Sequence, residues 1–467
     1  MPPKPRLIPG QHIHIIGIGG TGLSAIARVL LLRGFQITGS DLHTNAKTDK
    51  LQELGATIYR GHDAAQVMGA EIIIRSSAIK DDHVEVLSAK AQRIPVYKRF
   101  DIMSAIMDGS TPIAIAGTHG KTTTSSMTTH VLLETGQSPS YIVGGVLANT
   151  GHNADVGNGE AFVIEADEYD NMFHGLRPQV EVITSVEYDH PDFFRTPNQM
   201  VESFSHFVGL LADEGLLIAC ADDPTATIFA RNRLIVHLPT TTYGIALPAD
   251  WNATNIRYEN DMTLYDVIVD EKNLGTVRLP VPGKHNILNS LAALIVADHQ
   301  GVSFRDAADA LATFKGAGRR FDILAEVNEV VIVDDYAHHP SAVRATVDAA
   351  RQRYPEHDLW VIWQPHTFTR TRTLWEDYLR SFGDADHVIV TDIFPSREKA
   401  EDFPDVTADK FVAELFHERK FHISEFEDAV TILHHNVTSP AVVLTLSAGD
   451  APIISKKYLH HLQAQTS

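Results

Sequence analysis

Residues 111–134 read TPIAIAGTHGKTTTSSMTTHVLLE, and this stretch places the chain in the α/β class. An apolar strand pattern leads directly into the loop at residues 117–123, and a helical pattern follows the loop. Glycines in such a loop let backbone amides approach a phosphate, and the helix N-terminus adds N–H groups that favour negative charge. We therefore predict a phosphate-binding unit made of a strand, a loop and a helix.

The loop is a shortened relative of the pattern GxxxxGK[ST]. Ile115 occupies the position of the first glycine, but the core Gly120-Lys121-Thr122 is present. In loops of this kind the lysine neutralises the β and γ phosphates of a nucleotide, and the hydroxyl that follows it ligates magnesium. We expect Lys121 and Thr122 to act in this way.

Carboxylates and a histidine follow the next two apolar strand patterns. The first, AFVIE, leads into an acidic run, and the second, VEVITSV, leads into the tetrapeptide EYDH. Because the carboxyl ends of parallel strands meet in one crevice, we expect Glu165 and His190 to lie near Thr122. Acidic runs are often only solvated surface, but here apolar strands direct the run towards a phosphate loop. The run comprises Glu165, Asp167, Glu168 and Asp170.

Another glycine loop, GIGGTG at residues 17–22, lies between the strand pattern IHII and the helix pattern TGLSAIARVLLL. It matches GxGxxG, and Asp41 closes the following strand pattern. This arrangement favours a bound diphosphate, either in a dinucleotide or in a UDP-linked molecule. The structural alternative is a tight turn that binds nothing.

Length and patterning predict three domains. At about 150 residues per domain, a chain of 467 residues corresponds to three. Strand and helix patterns alternate on both sides of two turn-rich stretches, at residues 107–112 and 315–320, and these mark the boundaries. We predict domains at residues 1–108, 109–315 and 316–467.

Polar clusters follow two predicted strands of the third domain, DDYAHHP at residues 334–340 and QPHTFTR at residues 364–370. Their position at strand ends predicts a substrate-binding face. The pair Arg319-Arg320 at the domain boundary is suited to contact nucleotide phosphates. Asn286 and Asn289 open a helix pattern, and they either cap that helix or hydrogen-bond a purine.

Composition excludes several classes of function. Thirty-nine basic and 59 acidic residues give a net charge of −20, which repels nucleic-acid backbones and anionic lipids. We expect no nucleic-acid partner and no membrane association, since no run of roughly eighteen apolar residues predicts a spanning helix. The single cysteine, Cys220, is expected to be buried. Together with an N-terminus that reads as a strand and not as a signal, it favours a reducing compartment, the cytoplasm.

Taken together and in order, these motifs make the chain similar to the Mur ligase family from about residue 12 to residue 456. The motifs are GIGGTGLS, GTHGKTTT, EADE, YDHPD, GKHNILN, GRRFD, DDYAHHP and QPHTFTRTR. The resemblance implies a three-domain α/β architecture. A Rossmann-like N-terminal domain would bind UDP, a central P-loop ATPase-like domain would bind ATP, and a Rossmann-like C-terminal domain would bind an amino acid.

Within the family, the resemblance is greatest to the branch that ligates L-alanine to the carboxylate of UDP-N-acetylmuramate in peptidoglycan synthesis. It implies an ATP-dependent ligase that works through an acyl phosphate and releases ADP and phosphate, with two magnesium ions as cofactors. UDP-N-acetylmuramate and L-alanine are then the substrates. No oligomeric state is predicted.

The resemblance also implies roles for individual residues. The catalytic residues would be Lys121, Glu165, His190, His338 and Arg370. Thr122 and Glu165 would ligate one magnesium ion, and Glu165 and His190 the other. The ATP site would comprise Gly117, Thr118, His119, Gly120, Lys121, Thr122, Thr123, Asn286, Asn289, Arg320 and Asp335. The UDP site would comprise Gly17, Gly19, Gly20, Thr21, Gly22, Asp41, Ser76 and Ser77. The amino-acid site would comprise Tyr336, His338, His366 and Arg370.

One position departs from the pattern of the family, and one helix distinguishes between branches of the family. Thr367 stands where this branch usually has arginine after QPH, which removes a cation from the predicted amino-acid site although Arg370 remains. The helix pattern NQMVESFSHFV after His190 contains no lysine. Several later-acting relatives carry a carbamylated lysine about there, so its absence fits the alanine-adding branch.

The chemistry of the implied reaction explains the charged residues. A carboxylate must be activated before it forms an amide, because oxide is not a leaving group at neutral pH. The site must therefore neutralise two anions, the carboxylate and the γ-phosphate, while it aligns them. Two magnesium ions, Lys121 and Arg320 meet this need. His338 or His366 then either deprotonates the alanine amine or hydrogen-bonds the substrate.

Three alternatives remain open. A sister ligase would attach another amino acid or a preformed peptide, or would add glutamate to a folate-like acceptor. A nicotinamide-dependent oxidoreductase would use the first glycine loop, but it leaves Lys121 and its acidic neighbours without a role. A binding protein gated by ATP hydrolysis has no need of the polar clusters at residues 334–370.

Overall fold

The computed structural model describes residues 5–466, which form an α/β protein with three β-sheets. Residues 1–4 and 467, at the ends of the first and last predicted domains, lie outside the described residues. The described chain divides into two compact units: residues 5–186, 200–252 and 291–310 in the first, and residues 187–199, 253–290 and 311–466 in the second. The domain boundaries after residues 108 and 315 stay a prediction.

The N-terminal sheet, in the first unit, is fully parallel with the strand order 3-2-1-4-5. Its first strand is apolar and buried, and the order reverses on either side of it. The loop that follows this strand therefore lies at a topological switch point, where open α/β sheets bind ligands. The strands are β1 (His12–Ile16), β2 (Gln36–Asp41), β3 (Thr57–Arg60), β4 (Ile72–Arg75) and β5 (Val96–Lys98). The helices are α1 (Thr21–Leu32), α2 (Ala46–Glu53), α3 (Val84–Ala91) and α4 (Arg99–Ile106), with a 3-10 turn at Ala64–Val67.

The central sheet of the first unit is parallel except at one edge. Its strands are β6 (Thr111–Ala116), β7 (Ser140–Ile142), β8 (Ala154–Asp155), β9 (Ala161–Glu165), β10 (Val180–Ile183), β11 (Leu216–Cys220) and β12 (Thr240–Gly244). The strands that lie wholly in this unit have the order β12-β11-β10-β6-β9-β7-β8, and among their pairs only β7/β8 is antiparallel. Helices α5 (Lys121–Glu134), α6 (Pro197–Val208) and α7 (Pro224–Ile235) and the 3-10 segment Tyr169–Gly175 connect these strands. Cys220 is 3% exposed on β11, which confirms that it is buried.

Four elements contain residues of both units. They are α6, β13 (Trp251–Glu259), α8 (Lys284–His299) and α9 (Phe304–Leu311). In the second unit, β14 (Met262–Val269) and β15 (Lys272–Leu279) form an antiparallel pair.

The C-terminal sheet, in the second unit, has the order β16-β17-β21-β18-β19-β20, and only the β16/β17 pair is antiparallel. The strands are β16 (Asp322–Val327), β17 (Val330–Asp335), β18 (Asp358–Trp363), β19 (His387–Thr391), β20 (Lys420–Ile423) and β21 (Ala441–Leu446). Alternation along β17 places Val331 and Val333 in one buried cluster and Ile332 in another, so the sheet has a core on each face.

Six helices and a 3-10 turn at Ala400–Asp402 accompany the C-terminal sheet. The helices are α10 (Pro340–Arg353), α11 (Phe368–Thr373), α12 (Trp375–Tyr378), α13 (Ala408–Glu414), α14 (Phe426–Asn436) and α15 (Pro452–Thr466). The sequence pattern TRTLWEDYLRSF predicts a helix around residues 371–382, and the structure is helical there but not in one piece. Two short helices form instead, because Leu374 leaves the helical region with φ −108° and ψ 21°. Across residues 5–466, we find no helix whose length and apolarity would suffice to span a bilayer.

Candidate functional site

The phosphate loop after β6 packs closely against the end of β10. Gly117 has a φ of +139°, and a Cβ atom added to it would overlap Oγ1 of Thr184 and lie 2.9 Å from the backbone nitrogen of Ser185. The amide of Thr118 donates to the carbonyl of Ser185 at 2.8 Å. Both the left-handed φ and the close approach require glycine at position 117. The loop is therefore fixed on the central sheet where α5 begins.

Lys121 is held at the mouth of its own loop. Its ammonium donates to the Gly117 carbonyl at 2.5 Å and lies 2.8 Å from Oε2 of Glu168. Burial opposes the charged form, but Glu168, followed by Asp167 and Glu165, raises the lysine pKa. Lys121 is thus a permanent cation beside the loop, as a phosphate-binding lysine must be.

Thr122 and Glu165 lie together, as the parallel-sheet argument predicted. The Thr122 hydroxyl donates to Oε1 of Glu165 at 3.1 Å, and the Gly144 amide donates to Oε2 at 2.6 Å. A hydroxyl and a carboxylate are hard oxygen donors, the ligands that Mg²⁺ prefers. These two residues fit one of the predicted magnesium ions on the chemistry of their donors.

The first glycine loop is shaped by the ends of β2 and β4. The Gly17 amide donates to the Ser40 carbonyl at 2.8 Å, and the Gly19 amide donates to Oδ2 of Asp41 at 2.9 Å. Ser76 lies directly beside Gly17. Gly20 precedes α1 and offers no side chain to its first amides, which leaves an N-terminus suited to an anion. Thr21 and Gly22 form the first turn of α1, and Ser77 is exposed next to Ser76.

A buried ion pair organises the cluster in the second unit. Nε of Arg370 donates to Oδ1 of Asp189 at 2.7 Å, and the two side chains are 5% and 4% exposed. The guanidinium also donates to Nδ1 of His366 at 3.1 Å and to Nδ1 of His190 at 3.5 Å. Arg370 therefore orients two of the predicted site histidines. Its contact with an amino acid stays a prediction.

His338 and His366 are neutral imidazoles beside this pair. Nδ1 of His338 lies 2.8 Å from the Tyr336 carbonyl, to which it can only donate, so Nε2 carries the lone pair. Burial and then Arg370 depress the pKa of His338 well below its usual value and lower that of His366 to about 4. Asp189 stays ionised, since Arg370 and its histidine neighbours outweigh burial and hold its pKa well below the usual range.

The predicted nucleotide-side residues of the second unit are packed into the protein. Asp335 accepts from the amides of Phe321 and Ala337 at 2.6 and 2.7 Å, and burial raises its pKa although Arg320 opposes the shift. The guanidinium of Arg320 lies 4.9 Å from the centroid of the Tyr336 ring. Contacts of Asp335 with a ribose and of Arg320 with a phosphate stay predictions.

Asn286 and Asn289 lie inside α8, so the alternative that they cap this helix is wrong. Nδ2 of Asn286 donates to the Pro282 carbonyl at 2.6 Å, and Nδ2 of Asn289 donates to Oδ1 of Asn286 at 3.1 Å. Both are about 5% exposed. The pair fixes the start of α8, and a contact with adenine stays a prediction.

Comparison with known families accounts for most of the chain. Residues 12–111 match the catalytic domain of the Mur ligase family, residues 115–297 match the Mur ligase middle domain, and residues 319–449 match the Mur ligase, glutamate ligase domain. The chain belongs to the Mur ligase family. This membership confirms the resemblance drawn from the motifs and the three-domain α/β architecture that it implied.

Similar proteins cover nearly the whole of this Mur ligase. A UDP-N-acetylmuramate–L-alanine ligase of Roseiflexus sp. (strain RS-1) is 38% identical over 474 residues, which cover 97% of this chain and 100% of the relative. The crystal structure of the UDP-N-acetylmuramate–alanine ligase of Thermotoga maritima has a TM-score of 0.81 and 25% identity, and covers 97% of this chain and 99% of its own. The murein peptide ligase of Psychrobacter arcticus has a TM-score of 0.70 and 26% identity, with the same coverage.

Thr367, where this branch of the Mur ligases usually has arginine, has a structural role here. Its φ is +66°, and its hydroxyl accepts from the Arg370 amide at 3.4 Å, which caps α11. Thr367 is 4% exposed. The side chain therefore positions the helix that carries Arg370.

Sequence reasoning missed three charged residues of this Mur ligase. Glu168 and Asp189 lie in the quoted acidic motifs, but the patterns did not show that they pair with Lys121 and Arg370. Arg99, the first residue of α4, donates to Oδ2 of Asp167 at 2.8 Å and lies directly against Gly22. Its position just after β5 was the available signal. Arg99 places a cation between the first glycine loop and the acidic run after β9.

Proposed function

We propose that this Mur ligase joins L-alanine to the carboxylate of UDP-N-acetylmuramate, converts ATP to ADP and phosphate, and releases UDP-N-acetylmuramoyl-L-alanine. The observation that carries the proposal is the arrangement after β6 and β9, where Lys121 pairs with Glu168 and Thr122 with Glu165. A relative that bears this activity in its name, 38% identical across 97% of the chain, supports the choice of substrates. We place the reaction in the cytoplasm, where ATP and UDP-sugars are available.

We assign one substrate to each predicted domain. Residues 1–108 would hold the UDP moiety on the first glycine loop, with Asp41, Ser76 and Ser77 around it. Residues 109–315 would hold ATP on the phosphate loop and beside Asn286 and Asn289, and residues 316–467 would hold alanine. The uncapped start of α1 and the cation at Lys121 support the first two assignments.

Activation of the sugar-borne carboxylate requires neutralisation of charge. Both the attacking carboxylate and the γ-phosphate are anionic, so cations must offset their repulsion as they align. Lys121 supplies one fixed charge, and Arg320 would supply another. Thr122 and Glu165 would hold one Mg²⁺ and Glu165 and His190 a second, and the bound ions would stabilise the negative charge of the phosphates.

Attack by alanine then requires loss of a proton from its amine. An attacking amine becomes strongly acidic as its bond to carbon forms, so a neutral imidazole with a modest pKa suffices to accept that proton. Nε2 of His338 has the free lone pair, whereas His366 accepts from Arg370 at Nδ1 and so presents an N–H at Nε2. We assign His338 as the acceptor and His366 as a donor to the substrate.

Mass spectrometry of the product tests the proposal. The purified chain is incubated with ATP, Mg²⁺, UDP-N-acetylmuramate and one amine at a time, and ADP release is followed in parallel. We expect a mass gain of one alanyl residue with L-alanine, and no product from the Lys121→Ala variant. A product formed only with a preformed peptide would instead identify a peptide ligase, the activity named for the Psychrobacter arcticus structure.

A further inference from the structure

A fully buried carboxylate on α3 packs against the N-terminal sheet and contacts Ser40, whose carbonyl accepts from the amide of Gly17. Glu85, in the first turn of α3, is 0% exposed, as are His14 on β1 and Ser40 on β2. Oε2 of Glu85 accepts from Nε2 of His14 and from the hydroxyl of Ser40, each at 2.8 Å. Oε1 lies 2.7 Å from Nδ1 of His62.

This carboxylate stays ionised in the protein interior. Burial alone would raise its pKa, but hydrogen bonds from His14, Ser40 and His62 lower it. A buried anion requires a positive charge nearby. Among residues 5–466, the ion pairs of Glu85 are only those with His14 and His62, so neither a lysine nor an arginine neutralises this carboxylate.

His83 joins His62 and Glu85 to complete a set of three possible metal ligands. His83, the residue before α3, has its ring edge-on to that of His62 with centroids 4.5 Å apart. Ligand atoms of His62, His83 and Glu85 all lie within 4.8 Å of one another. Nδ1 of His83 accepts from the Glu85 amide at 3.4 Å, so this ring nitrogen carries a lone pair. Two imidazoles and one carboxylate form a donor set that zinc accepts.

We propose that His62, His83 and Glu85 form a binding site for a divalent transition-metal ion of the zinc type. The ion would replace the direct contact between Nδ1 of His62 and Oε1 of Glu85, which are now 2.7 Å apart. Tetrahedral zinc holds its ligand atoms roughly 3.3 Å apart, so the three groups, whose ligand atoms lie within 4.8 Å of one another, would rearrange around the ion.

The surroundings of the three proposed ligands resemble those of metal sites in proteins. His14 and Ser40 hold the other carboxylate oxygen, which fixes the orientation of Glu85, as outer hydrogen bonds commonly do for metal ligands. His62 is 13% exposed at its side chain and His83 is partly exposed, so an ion can enter from the solvent side and keep a water ligand. The site shares no residue with the proposed magnesium ligands, which are Thr122, Glu165 and His190.

Metal titration of the full-length protein tests the proposal. Chelator-treated protein is titrated with Zn²⁺ in competition with a fluorescent chelator, in the presence of Mg²⁺, and with Co²⁺ while its visible spectrum is recorded. The variant is His83→Asn, because asparagine is a good helix N-cap and removes only the imidazole. The control is His43→Asn, an exposed histidine outside the cluster in a chain with 25 histidines.

We expect one Zn²⁺ per chain in the native protein and in the control, and an intense tetrahedral Co²⁺ spectrum. His83→Asn should bind Zn²⁺ at least about tenfold more weakly and lose that spectrum. Zinc should also raise the thermal midpoint of the native protein but not that of His83→Asn. Equal zinc affinity in all three proteins, or a weak octahedral Co²⁺ spectrum in the native one, would overturn the proposal.

Discussion

The ammonium of Lys121 lies 2.8 Å from Oε2 of Glu168, a carboxylate that is only 1% exposed at its side chain. The cation that we assign to ATP is therefore positioned by an acid from a different strand end. Lys121→Ala should lower kcat/KM by more than 100-fold, which is about 3 kcal/mol of transition-state stabilisation. Steady-state assay of ADP release measures the loss. Near-native turnover in this variant would remove Lys121 from the phosphate site.

The same pair contributes to stability through its burial. Lys121→Met takes the ammonium away from a buried carboxylate and should destabilise the protein by about 3 kcal/mol or more. The double variant Lys121→Met/Glu168→Gln removes both charges and should recover most of the loss. Thermal unfolding of the two variants makes the comparison. A double variant as unstable as the single one would show that the charge of Glu168 is not the cause.

Gly144 controls the orientation of Glu165. A Cβ atom on Gly144 would lie 2.5 Å from both carboxylate oxygens, so Gly144→Ala should displace the proposed magnesium ligand. We expect the Mg²⁺ concentration at half-maximal activity to rise by roughly tenfold or more, as after loss of an orienting contact. The control is Gly383→Ala, where nothing lies within 4 Å of the added atom. Identical Mg²⁺ titrations for both variants would contradict the assignment of Glu165.

Protonation of His366 should limit stability in mild acid. Burial and Arg370 lower its pKa from 6.5 to about 4, so between these values the unfolded chain binds a proton that the folded chain does not. The free energy of unfolding should therefore fall as pH drops from about 6.5 towards 4, by up to about 1.4 kcal/mol per pH unit for this group. Thermal midpoints at several pH values should fall less steeply in His366→Asn than in the exposed control His237→Asn. Parallel curves would refute the depressed pKa.

Glu181 on β10 should make the free energy of unfolding fall as pH rises, which is the opposite of the trend expected for His366. It is fully buried, neither of its carboxyl oxygens has a hydrogen-bond partner in the described chain, and burial raises its pKa from 4.5 to about 8 despite Arg233. Between these values the unfolded chain releases a proton that the folded chain keeps, so this group lowers stability as pH rises. Glu181→Gln should gain stability relative to the native protein by about 2–4 kcal/mol between pH 5 and pH 8. The exposed control Glu160→Gln should show no such trend; the same trend in both would argue against a neutral Glu181.

Local pattern and parallel-sheet geometry predicted a large part of this site. The contact between Thr122 and Glu165 followed from two strand ends in one sheet, whereas the hydrogen bond from the Gly19 amide to Asp41 was not predicted. The partner of Lys121 could not be predicted. The choice among the acids after β9 depends on the segment that follows, where Asp170 and Asn171 have left-handed φ values.

The spacing of residues in the sequence also did not reveal how deeply individual side chains are buried. Arg370 was predicted to meet the amino acid, which stays a prediction, but the sequence did not show that this side chain is 5% exposed and paired with Asp189. Thr367 was interpreted only as a missing arginine, yet its hydroxyl caps α11. The Arg370–Asp189 pair joins residues 181 positions apart in the chain, and hydrophobic periodicity encodes neither this contact nor the local cap that Thr367 provides.

Side chains of strand β17 alternate between the two cores of the C-terminal sheet, and the strand ends at Asp335, a predicted nucleotide-side residue. Ile332 and Val333 point to opposite faces, and the strand ends in Asp334, which pairs with Arg319, and Asp335, which accepts two backbone amides. Insertion or deletion of a single residue within this strand would exchange the two faces and the two aspartates at once. The length of β17 is thus as strict a requirement for placing Asp334 and Asp335 as the identity of these two side chains.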